Sequence, residues 1–405
     1  MGVNRLPLTG TRIVDFTWAW AGPQATLLLG MLGAEIIKIE SRARLDHTRL
    51  RSLMAGPNLA SPDHSVIFAE LNVNKLSLTL NLTHAAAVEI IKDLVKVSDV
   101  VAENMRPGVL ERLGLGYEAL RSVKPDVIML SSSAVGNSGL ERTYVGYAPT
   151  FAAMSGIAHI TGPAEGPPTP LSGAIDLRVG TTSAFAILAA LYHRARTGRG
   201  QYIDLSSTEA ISAMIGDTFL ECAMNRRSPG RAGNRDRTVA PHNCYPCAEE
   251  DRWVTIVVAT DDEWRALCGV IADPRLEDER FSDGYGRWQN QDELDQIIGE
   301  WTASRSPQEV TATLQAAGVA AMPAHNGRSL VEDPQFRERG LMEWVEHPLS
   351  GRRLMAGPPW RFSKTPAGIR EPAPLLGAHN HYVLHELLGM PEEEIQRLVD
   401  EEIVY

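Results

Sequence analysis

Apolar runs separated by small and polar breakers open the chain, and they read as a βαβ unit. Arg12 to Asp15 (RIVD) is a short strand, and Phe16 to Pro23 (FTWAWAGP) is a turn of aromatic and small residues. Gln24 to Leu32 is an apolar helix that Gly33 ends, and Glu35 to Glu40 (EIIKIE) is the next strand. Such a unit implies a parallel sheet. The alternation continues with strand Ser77 to Asn81 and an amphipathic helix, Thr83 to Val97, that gathers Val88, Ile91, Leu94 and Val95 on one face. Strand Asp99 to Ala102, helix Tyr117 to Val123 and strand Val127 to Leu130 follow. The N-terminal part is therefore a doubly wound α/β domain. Residues 41–70 interrupt it as an irregular basic stretch with Arg42, Arg44, Arg49 and Arg51, either a solvated loop or a phosphate-facing lid.

The stretch Leu171 to Ser207 combines several signals. Ser172 and Gly173 form a flexible lead-in, and Asp176 sits between Ile175 and Leu177. Thr181 to Tyr192 reads as a buried helix with almost no charge. Arg194 and Arg196 suit its C-terminal turn, Gly198 and Gly200 break it, and Gln201 to Leu205 is a strand. An acid before such a helix either caps its N-terminus or stands as a carboxylate in a dry pocket, able to attack an acyl group.

The C-terminal half changes rhythm. Residues 208–223 look helical, 225–243 form a basic connector, and Arg252 to Ala259 is a strand. Thr260 with Glu263 and Ser306 with Glu309 are two capping boxes, the second with Pro307 at the first helical position. Asp292 to Thr302 is another helix, and a strand begins at Gly318 to Met322. The organisation expected is a large α/β part over 1–207, a linker over 208–244, a small α+β domain over 245–325, a linker over 326–345, and a returning segment over 346–405 with a last helix at Pro391 to Val399.

With 405 residues, 44% hydrophobic and 22% charged, the chain is an ordinary globular sequence long enough for two or three cores. A formal net charge of −11 argues against broad nucleic-acid or membrane-surface binding. No apolar run is expected to span a membrane, and the N-terminus lacks a signal-peptide core, so the expected location is cytoplasmic. Of four cysteines, Cys244 and Cys247 have redox spacing but lack the strand-to-helix context, and no second pair completes a zinc set. They read as ordinary thiols. His159, His193 and His242 read as packed or solvated side chains, and no G-x-G-x-x-G follows the first strand.

Nine segments in order resemble the class III CoA-transferase family, which includes formyl-CoA transferase and crotonobetainyl-CoA:carnitine CoA-transferase. They are DFTWAWAGP (15–23), LGAEIIKIE (32–40), NVNKLSLTLNL (72–82), VAENMRPGVLERLGLG (101–116), the Asp176 loop, TGRGQYIDLS (197–206), GVAAMP (318–323), DPQFRERG (333–340) and PLLGAHN (374–380). The resemblance implies that Asp176 is the catalytic carboxylate, carrying first an acyl group as an anhydride and then CoA as a thioester. It implies a coenzyme A site at Ala19, Trp20, Ala21, Arg42, Lys75, Asn104, Met105 and Arg112, where Lys75 and Arg112 offset phosphate charge. Trp18 and Trp20 are expected to wall a pocket that favours a bulkier or aromatic acyl group. The substrates implied are an acyl-CoA, with succinyl-CoA as a donor common in the family, and a free carboxylic acid. No metal is needed, since one thioester replaces another.

The resemblance further implies a Rossmann-like large domain built from both chain ends and a small α+β domain. Together they form a ring that interlocks with a second copy, with a heteromer of two paralogues left open. Ser41 stands where the family has an arginine, and Ala134 where it has a lysine; the Gly-rich loop of formyl-CoA transferase has no counterpart at 255–262. Two alternatives share the fold: an α-methylacyl-CoA racemase-like isomerase and a non-catalytic acyl-CoA-binding homologue. The racemase needs a second acid/base pair, and Tyr147 and Ala148 stand at those positions.

Overall fold

The computed structural model describes residues 5–53, 61–171 and 173–405, so Ser172 and the side chain of Arg51 lie outside the described residues. The chain forms two compact units. One comprises residues 1–157, 170–220 and 337–405, the other 158–169 and 221–336. Residues 158–169, kept in the large part by the sequence reading, thus group with the second unit, and the expected linkers divide between the two.

The first unit is built on six parallel strands: β1 (Arg12–Asp15), β2 (Glu35–Glu40), β3 (Lys75–Thr79), β4 (Val100–Glu103), β5 (Ile128–Ser133) and β6 (Tyr202–Ser206). Their spatial order is β3-β2-β1-β4-β5-β6, the doubly wound order. The strands are buried on both faces, which is why RIVD and EIIKIE read as nearly continuous apolar runs. The associated helices are α1 (Ala21–Met31), α2 (His47–Leu53), α3 (Val66–Asn72), α4 (Ala85–Lys96), α5 (Val109–Arg112), α6 (Tyr117–Val123), α7 (Ala148–Met154) and α9 (Gly173–Thr197), whereas α8 (Ile157–Ile160) falls in the second unit from its second residue on. Val14, Ile37, Ile39, Leu78 and Val101 pack on Ile91, Leu94 and Val95 of α4 and Leu120 of α6. The alternate positions of the same strands face the other way, toward α1. The C-terminal residues return to this unit. His379 N–H donates to Ser77 O at 3.0 Å, Val404 bridges Leu80, and Val383, Leu384, Ile395 and Leu398 enter the same core. Edge strand β3 is thereby covered.

Two elements differ from the sequence reading. Helix α9 starts at Gly173 rather than Thr181, so Asp176 lies in a first helical turn and not in a loop. Ile175, Val179 and Gly180 are buried in the turns ahead of Thr181, where Ser172 and Gly173 read as a flexible lead-in. By length and composition α9 is also apolar enough to cross a membrane. One face of it packs on α1, since a Cβ on Gly180 would fall 2.7 Å from Ala21 O, while Phe185 and Tyr192 are exposed, so it is not the fully buried helix expected. The stretch 41–70 is likewise not a plain loop. It holds α2, a short 3₁₀ turn at Pro62–His64 and α3, whose first turn is capped by Ser65 Oγ accepting Phe68 N–H at 3.3 Å.

The second unit has an antiparallel sheet of β7 (His242–Pro246), β8 (Trp253–Val257) and β9 (Ala320–Pro323). Its helices Asp261–Ile271, Gln291–Thr302 and Pro307–Ala316 bury Trp264, Leu267, Ile298 and Leu314 against it. Both expected capping boxes form: Glu263 N–H donates to Thr260 Oγ1, and Glu309 N–H to Ser306 Oγ, each at 3.2 Å. Cys244 lies within β7, and all four cysteines are free.

Candidate active site

The strand order reverses between β1 and β4, so a crevice opens where their carboxyl ends part. Asn104, just past β4, clamps one peptide just past β1. Its Oδ1 accepts Trp18 N–H at 2.7 Å and its Nδ2 donates to Trp18 O at 2.9 Å. The next residue, Ala19, is held at φ +64°, a region that side chains other than glycine rarely adopt. Its N–H donates to Asp46 Oδ1 at 3.2 Å. Gly22 is required at the start of α1, because a Cβ there would lie 2.5 Å from Thr17 Cβ and 2.9 Å from Asn104 Cγ. No side chain caps α1. Among the described residues, the N–H groups of Trp20, Ala21 and Gly22 find no acceptor, so the positive end of the helix is bare.

Buried charges brace this turn from below. Lys75 Nζ lies 3.2 Å from Asp15 Oδ2 and donates to Pro23 O at 3.1 Å and Thr26 Oγ1 at 2.8 Å. Lys38 Nζ donates to Thr17 O at 2.6 Å and pairs with Asp46 Oδ2 at 3.1 Å. Burial tends to raise the Asp15 carboxyl, but Lys75, Lys38 and the Thr17 and Thr26 hydroxyls outweigh it and hold it below the usual range. Burial pulls Lys75 down to about 8 against the attraction of Asp15.

Asp176 reaches the same edge from α9. Arg194, near the other end of α9, pairs with Asp99 just before β4, so α9 runs down the sheet in the same sense as α1. Gly180 meets Ala21, the first residue of α1. Asp176 lies four residues earlier on the same helical face, which carries it past the bare start of α1. Burial raises its carboxyl to about 6, and among the described residues it has no hydrogen-bond or ion-pair partner. A half-buried, uncompensated carboxylate beside unused N–H donors is suited to nucleophilic attack on an acyl carbon.

The fold thus brings Ala19, Trp20, Ala21, Asn104 and Met105 to one crevice, with Asp176 at the adjoining helix start. Arg42 follows β2, exposed, its guanidinium 5.7 Å from the Tyr405 ring centroid. Arg112 is exposed at the end of α5. The ammonium of Lys75 is the exception. It is enclosed and engaged by Asp15, and it does not face solvent as a phosphate-neutralising charge. Arg49 is corrected too: it is neither solvated nor phosphate-facing but buried, with Nε 2.8 Å from Glu40 Oε1 and a second bond to Asp63. Arg44 stacks 4.9 Å over Trp18, whose ring also meets His47 edge-on.

Sequence reasoning missed Asp15, Lys38, Asp46 and Glu103. For Asp15, Lys38 and Glu103 the signal was an ionisable residue in an apolar strand, as Lys38 is between Ile37 and Ile39; Asp46, just before α2, carried no such signal. Glu103 ends β4 on the α4 side. Its Oε2 accepts Met105 N–H at 2.6 Å, Ser131 Oγ donates to Oε1, and burial raises its carboxyl to about 7. Asn137 Nδ2 donates to Ser131 Oγ at 3.0 Å and to Asp204 Oδ1 at 3.0 Å, which ties the ends of β4, β5 and β6 together. A cavity of about 400 Å³ opens beside this network, lined by Gly136, Ser138, Glu141, Asp204 and Glu209.

The sequence pattern of CoA-transferase family III matches residues 8–380. A probable CoA-transferase of Mycobacterium tuberculosis is 35% identical over the whole chain, which spans 51% of that relative's length. A succinyl-CoA:glutarate CoA-transferase of Mus musculus is 33% identical over 97% of this chain and 89% of its own. A succinyl-CoA:mesaconate CoA-transferase of Haloarcula marismortui is 32% identical over 94% and 96%. Among solved structures, a CaiB/BaiF family protein from Brucella suis superposes with a TM-score of 0.84 at 29% identity, covering 95% of this chain and 100% of that one.

Proposed function

The chain belongs to CoA-transferase family III, and on that premise we propose that it moves CoA from an acyl-CoA, succinyl-CoA first among donors, to a free carboxylic acid through Asp176. The observation that carries this reading is the half-buried carboxylate of Asp176 at the start of α9, without a hydrogen-bond or ion-pair partner among the described residues, beside the uncapped start of α1.

The steps balance without an external cofactor. An Asp176 oxygen attacks the thioester carbonyl and expels CoA thiolate, leaving a mixed anhydride. The thiolate attacks the aspartyl carbonyl, releases the donor acid and leaves an aspartyl-CoA thioester. The acceptor carboxylate attacks that thioester, expels the thiolate again and forms a second anhydride. Thiolate attack on the acceptor's carbonyl then yields the new acyl-CoA and frees Asp176. Each tetrahedral intermediate carries an oxyanion, for which the free N–H groups of Trp20, Ala21 and Gly22 are the available donors. Ala19, Trp20, Ala21, Asn104 and Met105 border the crevice that takes CoA, with Arg42 and Arg112 as exposed cations for its phosphates.

The succinyl donor rests on relatives named for succinyl-CoA. A dimer is favoured by apolar side chains left outward on and near α9: Phe185 is 72% exposed and Tyr192 64%, with Phe219 at 52% and Leu220 at 62%. The test is a mass-spectrometric screen of acyl-CoA donors against carboxylic acids, with donor-treated enzyme quenched by hydroxylamine or borohydride. Adduct or reduction at Asp176 is expected. An active enzyme with no modification there refutes the mechanism.

A further inference from the structure

Far from the crevice along the chain, the returning C-terminal segment holds His381, His385 and Glu392. Tyr382–Leu387 is a π-helix, with Leu388 N–H donating to Val383 O five residues back. In this wider coil a spacing of four brings the two imidazoles together, tilted at 35° with ring centroids 5.0 Å apart. Glu392 opens the last helix, Glu392–Asp400, and points back at them. His381 Nε2 is 2.6 Å from Glu392 Oε1, and His385 Nδ1 is 3.8 Å from the same oxygen. One nitrogen of each ring and a carboxylate oxygen all lie within 4.8 Å of one another.

We propose that His381, His385 and Glu392 bind one divalent transition-metal ion of the zinc class, with water in the remaining position. Ligand atoms on a tetrahedral zinc ion stand roughly 3.4 Å apart, given bond lengths near 2.1 Å, and the two separations to Oε1 bracket that value. Two imidazoles and one carboxylate suit zinc, nickel or copper, whereas magnesium and calcium take oxygen ligands. The supports are anchored: Val383 and Leu384 bury the π-helix, and Ile395 and Leu398 bury the last helix, in the core of the first unit. His385 Nδ1 lies 2.9 Å from Met390 O, so in the metal-free protein Nδ1–H donates there; ligation at Nδ1 gives up that hydrogen bond, and the neutral ring carries its one proton on Nε2 instead. The ion closes the turn between the two helices. It thereby secures the segment whose last carbonyl, on Tyr405, accepts from Thr79 Oγ1 at 2.9 Å and Asn380 Nδ2 at 2.7 Å.

The test uses full-length, tag-free protein stripped with a chelator. Zinc is titrated in competition with a chromophoric chelator, and thermal unfolding is followed in parallel. One equivalent of zinc and a rise in Tm are expected, with no rise from magnesium. All three side chains are exposed, so His381→Ala, His385→Ala and Glu392→Gln are expected to keep the wild-type circular dichroism and to bind at least ~10-fold more weakly. Cys244→Ser with Cys247→Ser keeps the equivalent. Absence of stoichiometric zinc, unchanged affinity in the folded His385→Ala or Glu392→Gln variants, or loss of the equivalent with the cysteines overturns the proposal.

Discussion

Replacing Glu103 by glutamine should make the protein more stable, and more so as pH rises. Glu103 is 6% exposed and no cation pairs with it among the described residues. Burial first of all, offset in part by the bonds from Ser131 and Met105, lifts its carboxyl from an ordinary 4.5 to about 7. Between those values the folded protein keeps a proton that the unfolded chain gives up. Stability therefore falls as pH climbs through this window, and the loss is complete once pH exceeds the folded value. Each tenfold weakening of the acid corresponds to about 1.36 kcal/mol, so the loss amounts to roughly 3 kcal/mol. Glutamine keeps both contacts: its oxygen accepts Met105 N–H and its amide donates to Ser131 Oγ. With no charge to bury, the variant should exceed the wild type by under about 1 kcal/mol near pH 5 and by roughly 3 kcal/mol near pH 8.5. At roughly 2 °C per kcal/mol, the gap in Tm should open to roughly 6 °C at the alkaline end. Thermal unfolding of both proteins by circular dichroism, across this range at fixed ionic strength, measures it. A gap that does not change with pH, or a variant less stable at alkaline pH, refutes the reasoning.

Three further outcomes follow from the site. Asp176→Ala should lower turnover by at least ~10³-fold with the fold kept; in the wild type, kcat/KM should fall as pH drops through about 6, where Asp176 takes up its proton, and a flat acid limb would count against it. Gly180→Ala should cost about 1–3 kcal/mol in denaturant unfolding, because its Cβ meets Ala21 O and the Gln24 Cβ at 2.7 Å, and an unchanged midpoint would show that the two helices separate freely. Lys75→Met should cost about 3–5 kcal/mol by leaving Asp15 buried without its ion pair, and Asp15→Asn in the same chain should recover part of that loss.

What the sequence disclosed, and what it hid, follows from the range of the forces involved. Strand and helix period are local, so β1, β2, the α4 stripe and both capping boxes were legible within a residue or two. The start of α9 was not, because Ser172 and Gly173 read as a flexible lead-in and the helix reads only from Thr181. Gly180 is there for the close approach to α1, a contact between residues far apart in the chain. The crevice residues Ala19 to Ala21 and Asn104 came from resemblance; their meeting depends on strand order, which no period encodes.

The buried charges make the same point with greater energetic weight. The resemblance implied Lys75 as a cation for phosphate, and Arg49 stood in a stretch read as a solvated loop or a phosphate-facing lid, since a positive residue is normally solvated. The fold instead pairs each with an acid from another element: Lys75 with Asp15 of β1, and Arg49 with Glu40 of β2. Removing either partner leaves the other charge stranded in the interior. That mutual dependence fixes the backbone above it. Asp15 receives Thr17 N–H at 2.8 Å, Lys38 holds Thr17 O, and Asp46 holds Ala19 N–H. A non-glycine residue stays at φ +64° when the surroundings over-determine it, and here those surroundings are two ion pairs and the Asn104 clamp. The outward consequence is that the N–H groups of Trp20, Ala21 and Gly22 remain aimed at the crevice. A glycine at position 19 would relax the strain but also free the turn. The first fixed hydrogen bond of the turn would then lie inside α1, where Gln24 N–H bonds Trp20 O at 2.9 Å.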